Sequence, residues 1–225
     1  YPLRRQRQMC IRDSLTGHTR LPPRSIAITI DGGYRDAYTN ALPVLKNHNF
    51  HATFFIVPEH IDGETRIKDV PIPCLSWNEV HEIAKCKMGI GLLAYKGRGI
   101  KRQYDEQSIK ESIPVSLKIL KENIDGDVKL CSFKEGIPKK PLWDFLKIQG
   151  FQAVFTQCPT NRRPSTSGIG RIQIEFPGGF TGRVFPEILV VSWRRCCRSR
   201  CSAVFHSLRR RRSVFLPPGS IRQTG

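Results

Sequence analysis

Across residues 25–156 the sequence switches repeatedly between short β-branched or apolar runs and longer segments with a helical period. This alternation is the strongest constraint on the fold, because parallel neighbouring strands are joined by crossovers, and helices are the usual ones. SIAITI, residues 25–30, alternates and is rich in β-branched side chains, so it reads as a strand that delivers DGGYRDA at its C-terminal end. Residues 37–47 carry Ala41, Leu42, Val44 and Leu45 in a short helix, and ATFFIV, residues 52–57, is a near-continuous apolar strand. Ser76 with Glu79 three residues on has the spacing of a capping box, starting a helix that runs to about Lys87. MGIGLLAY, residues 88–95, is a buried strand. Residues 105–123 then place Ile109, Ile113, Leu117 and Leu120 on one helical face. Pro114 lies inside that segment and is expected to kink the helix or delay its start, since an interior proline costs about 3 kcal/mol. A strand at 129–133, a helix at 138–149 ended by Gly150 and a strand at 151–156 complete the pattern. The expected class is α/β, either a barrel or a doubly wound sheet.

The formal charge of +18 invites a nucleic-acid reading, but the charge is concentrated at the two ends. Residues 1–24 hold six Arg against one acid and residues 183–225 hold ten Arg against one acid, which leaves an ordinary balance between them. Such ends attract polyanions without specificity, so no specific nucleic-acid partner is expected; a basic module binding nucleic acid through its Arg-rich ends stays as an alternative. Neither end shows a helical or strand period. Residues 1–24 are read as non-native or disordered, and residues 183–225 as an Arg-rich tail that is disordered or out of frame.

Eight cysteines do not form a ligand framework. Cys74, Cys86, Cys131 and Cys158 are far apart and sit in or near apolar stretches, as core thiols do, while Cys196, Cys197, Cys201 and His206 lie in the unpatterned end. His48, His51, His60 and His81 fall in loops or on a solvated helix face and are not expected to bind metal. No apolar run is long enough to span a bilayer, and no stretch has the arrangement of a secretion signal.

Three blocks in order carry a resemblance. SIAITIDGGYRDAYTNALPVLKNHNFHATFFIV resembles the opening of the polysaccharide deacetylase (NodB-homology, carbohydrate esterase) family, where a strand ending in TFDDG leads through a helix to an ATFF strand. SWNEVHEIAKCKMGIGLLAY resembles the second block, where a helix leads to an IG-H-[ST]-xx-H motif. VKLCSFKEGIPKKPLWDFLKIQGFQAVFT is similar to the third, in which a PYG-like turn precedes a helix and a GF-x-A strand. The resemblance implies a distorted (β/α) barrel, incomplete here and with irregular N- and C-terminal tails. It places a polysaccharide-deacetylase-like domain at residues 25–182.

The implied activity is metal-dependent hydrolysis of N-acetyl groups on sugar polymers, with a divalent metal, usually zinc, activating water. Carried over position by position, the general base falls on Asp31. The ligand positions fall on Gly32, Leu93 and Gly97, none of which can coordinate. No cofactor is therefore expected for this chain, and the copy is read as impaired or inactive, with a non-catalytic carbohydrate-binding relative as the alternative. The implied partner is an acetylated polysaccharide or oligosaccharide, with Tyr34, Tyr95 and Phe133 as candidate substrate contacts, and the implied location is outside the cytoplasm. In the third block Lys134 and Glu135 stand where a proline and an aromatic are usual. Two simpler structural roles stand beside these: Asp31 as a helix cap, and Asp36 as a residue that caps or solvates the helix after it.

Overall fold

The computed structural model describes residues 26–67, 70–94, 106–133, 138–156, 169–173 and 187–192. All lie in one compact unit spanning Tyr1–Trp193, so the reading of residues 1–24 and the part of the tail beyond residue 192 fall outside the described residues. Strand β1 (Ile26–Asp31), helix α1 (Leu42–Asn47) and strand β2 (Ala52–Ile56) form the first unit. A hairpin of β3 (Glu64–Ile67) and β4 (Val70–Pro73) precedes α2 (Trp77–Lys85) and β5 (Gly89–Ala94). Then come α3 (Glu106–Asn123), β6 (Leu130–Phe133), α4 (Lys140–Ile148) and β7 (Ala153–Thr156), followed by β8 (Ile169–Gly170), β9 (Ile172–Gln173) and β10 (Glu187–Ser192).

The main sheet has the order β8-β7-β6-β5-β2-β1-β10-β9. From β8 to β1 every neighbouring pair is parallel, giving a curled six-stranded half barrel, and β10 then pairs antiparallel with both β1 and β9. The two end strands of this order, β8 and β9, are separated in the chain by a single residue, Arg171. The α/β class and an incomplete NodB-type barrel both hold. No described helix is long and apolar enough to cross a membrane.

Strand alternation divides the apolar residues into two cores. Ile30, Phe54, Ile56, Leu92, Cys131 and Val154 face the helices and pack with Leu45, Val80, Ile83, Ile113, Leu120 and Leu146. The opposite faces put Ala27, Phe55, Val57, Leu93, Phe155 and Ile169 together inside the curl of the sheet. Gly91 belongs to that inner face: a β-carbon there would meet the Phe55 ring at 2.5 Å, so the glycine makes room for the aromatic.

Three local features differ from the expected pattern. The segment after β1 opens as a wide π turn at Ala37–Ala41 before α1, with Pro43 in the first turn of that helix. Proline cannot donate the amide bond that a regular helix would need there, and the wider turn accommodates it. Helix α3 starts at Glu106, eight residues before Pro114, and runs through the proline, so no late start occurs. Its buried Ile109, Ile113, Leu117 and Leu120 anchor it on both sides of the lost hydrogen bond. Finally, residues 187–192 fall within the segment expected to be an Arg-rich tail, yet EILVVS is a β-branched run that pairs with β1 along all six residues.

Candidate functional site: a buried carboxylate at the end of the first strand

The loop leaving β1 is held from several sides. Gly32 donates its amide to the Phe55 carbonyl at 3.0 Å, the Gly33 carbonyl accepts from Leu75 at 2.9 Å, and Tyr34 bridges to Cys74. Ser76 and Glu79 form the expected capping box at the start of α2: the Ser76 hydroxyl accepts from the Glu79 amide at 3.2 Å, and Glu79 Oε2 accepts from the Ser76 amide at 2.9 Å. The other Glu79 oxygen accepts from Arg35 Nε at 2.9 Å. One carboxylate thus satisfies an orphan helix amide and fixes the loop that follows Asp31.

Asp31, the last residue of β1, points into the inner face and is only 2% exposed. Its partner is Arg171, which is 0% exposed. The guanidinium makes a two-pronged bond, Nη1 to Oδ1 and Nη2 to Oδ2, both at 2.7 Å. Nη1 also donates to Thr29 Oγ1 at 3.1 Å, Nη2 to Ser132 Oγ at 2.6 Å, and Nε to the Thr156 carbonyl at 3.2 Å. Ser132 in turn donates to Asp31 Oδ2 at 3.1 Å. The guanidinium carbon lies 5.5 Å from the Phe55 ring centre and 6.0 Å from that of Phe155, within range of a cation–π attraction. A charge taken this far from water costs several kcal/mol, and the opposite charge together with the polar partners offsets that cost. Next to this network Cys131 is fully buried, and burial first, with a smaller push from Asp31, raises its thiol well above its ordinary range.

Asp31 is the last residue of β1 rather than the residue before a helix, and it bonds across the sheet to Ser132 on β6 and to Arg171. Asp36 does not act as a cap either. Its backbone is already helical (φ −64, ψ −23), whereas a capping residue is normally extended, its side chain makes no capping hydrogen bond, and both carboxylate oxygens are shut off from solvent. Burial raises its pKa to about 6.

Neither position 32 nor position 93 presents a side chain that could hold a metal ion. Gly32 has no side chain and sits at φ +118, a conformation that L residues rarely adopt, and the Tyr34 ring occupies the space a β-carbon would need. Leu93 is 4% exposed and belongs to the inner core cluster with Phe55 and Phe155. Both oxygens of Asp31 are engaged by a cation the chain itself supplies. Among the described residues, no three His, Cys, Asp or Glu side chains come together. Gly97, Tyr95, Lys134 and Glu135 lie outside the described residues.

The other candidates are placed as follows. Tyr34 is 8% exposed, with its ring against Ile72 and Cys74. Phe133 is 2% exposed and belongs to the helix-side core, because at its place in β6 alternation turns it away from the inner face that Ser132 occupies. Its ring packs in that core. His81 binds the Asn123 carbonyl at 2.5 Å and so ties α2 to the end of α3, while His48 stacks on Phe50. Cys74 and Cys131 are buried, Cys86 packs at the edge of the core, and Cys158 lies outside the described residues. Arg171 was not singled out from sequence; the available signal was a lone cation inside the β-branched run IGRIQI.

Comparison with solved structures finds the same fold in IcaB from Ammonifex degensii, at 21% identity over 74% of this chain and 74% of that one, with a TM-score of 0.60. The BpsB deacetylase domain from Bordetella bronchiseptica matches at 19% identity over 71% and 75%, TM-score 0.58. A de-N-acetylase from Aggregatibacter actinomycetemcomitans matches at 19% over 77% and 78%, TM-score 0.58. No curated protein gives a significant match. The family model for polysaccharide deacetylase matches residues 18–154, more than half of the sequence, and covers β1 through the first half of β7. The chain thus belongs to the polysaccharide deacetylase family.

Proposed function

We propose that this polysaccharide deacetylase domain has lost metal-dependent hydrolysis and retains, as its working activity, the binding of acetylated sugar polymer at the mouth of the half barrel. The observation that carries the reading is the state of Asp31. Its two oxygens are bonded to Arg171, and the neighbouring positions 32 and 93 offer no donor. Zinc catalysis needs about three protein ligands and an open position for water, and a lone carboxylate already shared with a guanidinium does not meet that requirement. Polymer binding makes no such demand, since the walls of the site are formed by the strand ends and by a loop that Glu79 and the Tyr34–Cys74 bridge keep in shape. Because the polymers such domains act on lie outside the cytoplasm, the same reading places the protein there.

The test has two arms. Acetylated chito-oligosaccharide incubated with the full chain and added zinc or cobalt is expected to release no acetate, and the protein to take up no metal. Turnover that disappears in Asp31→Asn would overturn the loss of hydrolysis. In the second arm, saturable binding to acetylated polymer, weaker on the deacetylated form, is expected; equal or absent binding on both would remove the binding function.

A further inference from the structure

We infer that the outer edge of β3 is a strand-addition site and that its occupant is β3 of a second copy of this chain, the two strands running antiparallel about a twofold axis at Thr65. The inference goes beyond the reading given above and does not depend on it.

The hairpin fixes which backbone groups are engaged and which are free. In an antiparallel pair, residues that exchange both hydrogen bonds with the partner strand alternate with residues whose amide and carbonyl point outward. The register sets Glu64 opposite Pro73, Thr65 opposite Ile72, Arg66 opposite Pro71 and Ile67 opposite Val70. One step earlier the Cys74 amide donates to the Gly63 carbonyl at 2.9 Å, so alternation makes Gly63, Thr65 and Ile67 the inward residues and leaves Glu64 and Arg66 facing out. Both prolines of β4 stand at outward positions, where the ladder needs no amide. On its other side the end of β4 meets the loop after β1: Cys74 bridges to Tyr34, and the Leu75 amide donates to the Gly33 carbonyl at 2.9 Å. Strand β4 therefore lies between that loop and β3, with an edge that cannot donate at positions 71 and 73, and β3 is the outermost strand. Among the described residues no other strand pairs with it.

An outer edge that keeps its amides is a template for an added strand. The two outward residues determine which strand fits. Glu64 and Arg66 are exposed, carry opposite charges and flank Thr65. Alternation puts their side chains on the face of the hairpin opposite Ile72, which packs with Tyr34 and Cys74. When a second β3 is laid antiparallel with Thr65 opposite Thr65, Glu64 of each copy stands opposite Arg66 of the other. Those are the outward-facing positions, so the register that brings the charges together also lets both pairs exchange backbone hydrogen bonds. Sliding by two residues either way sets Glu64 against Glu64 or Arg66 against Arg66, and the like charges oppose the slip. The edge is four residues long and buries much less than the roughly 1,200 Å² of a stable interface, so the pair is weak and forms only as concentration rises.

The experiment uses the full chain. Sedimentation from micromolar to millimolar concentration is expected to show a monomer–dimer equilibrium, and hydrogen exchange of the amides of Glu64 and Arg66 to slow as dimer forms. Glu64→Arg and Arg66→Glu, each alone, put like charges across both pairs and are expected to raise the dissociation constant about tenfold or more, whereas the two together restore the pairing and the affinity. Arg66→Pro removes an outward amide without touching the hairpin ladder; it is expected to abolish the dimer and to leave exchange at Thr65 and Ile72 as it was. A chain that stays monomeric, or a dimer that neither responds to the single exchanges nor slows exchange at Glu64 and Arg66, would overturn the second copy as occupant. So would slow exchange at those two amides in the dilute monomer, which would show that the chain covers this edge itself.

Discussion

The ring of Tyr34 fills the space beside Gly32 that any larger residue would need, with Cδ2 and Cζ both 2.8 Å from where a β-carbon would stand. This contact decides what a larger side chain at position 32 meets. Gly32→Asp puts a branched carboxylate at φ +118 and against an aromatic ring that is itself packed on Ile72 and Cys74. We expect it to cost about 1–3 kcal/mol of stability in chemical denaturation. Calorimetric titration with zinc should detect no binding by this variant. Adding Tyr34→Ala is expected to recover part of the loss by removing the clash, though not the backbone strain; no recovery would show that the ring is not the obstacle.

The charge pair inside the curl is expected to respond unequally to removal of either half. Asp31→Asn leaves a buried guanidinium without its counter-charge and should destabilise the chain by about 3–5 kcal/mol in urea unfolding. Asp31→Glu keeps the charge but adds a methylene to a closed site, with an expected cost of about 1–3 kcal/mol. A loss below about 1 kcal/mol for Asp31→Asn would mean that the pair contributes little to the closure of the sheet.

Asp36 predicts a pH dependence. In the unfolded chain its carboxyl ionises near the ordinary value of 3.8, while burial in the folded chain holds the proton until about pH 6. The folded state therefore binds more protons between these values, and the contribution of this group to stability is complete below pH 3.8 and lost as the pH rises through about 6. Asp36→Asn removes that dependence. It is expected to match the unsubstituted chain at pH 4 and to exceed it above pH 6 by about 1–2 kcal/mol, after allowance for partial solvent screening. Thermal melts across this range read the difference directly, and an equal gain at both ends would rule out the ionisation as its source.

Glu79 joins a helix terminus to the loop after Asp31, so its loss should be felt in both. Glu79→Ala is expected to cost about 1–2 kcal/mol and Ser76→Ala about 1 kcal/mol in denaturant unfolding. Because the two side chains form one reciprocal cap, the double variant should lose less than the sum. Strict additivity would mean that the box does not act as a unit.

Most of the alternating architecture was legible in sequence because each element carries its own local signal. The β-branched run at 25–30, the Ser76 to Glu79 spacing and the recurrence at three and four residues from Ile109 to Leu120 all became the elements they suggested. The site was legible only in part. Asp31 at the end of β1 could be placed, since a strand run ends there. What sequence did not reveal was Arg171, because its meaning depends on a carboxylate 140 residues earlier and on two strands of two residues each, too short to show a period. The same distance problem hid β10, whose apolar run sits among arginines and gains its role only from pairing with β1. The facing of Phe133 was likewise hidden: strand alternation, known once Ser132 is seen to face inward, turns its ring into the helix-side core.

The pairing of Glu187–Ser192 with Ile26–Asp31 has a practical corollary for anyone trimming the basic end to improve handling. A cut at residue 183 takes away a whole neighbour along with the arginines, and the first strand would then present bare amides and carbonyls to solution. Shortened proteins of that kind should clump through that margin, whereas a stop placed after residue 192 would leave it covered.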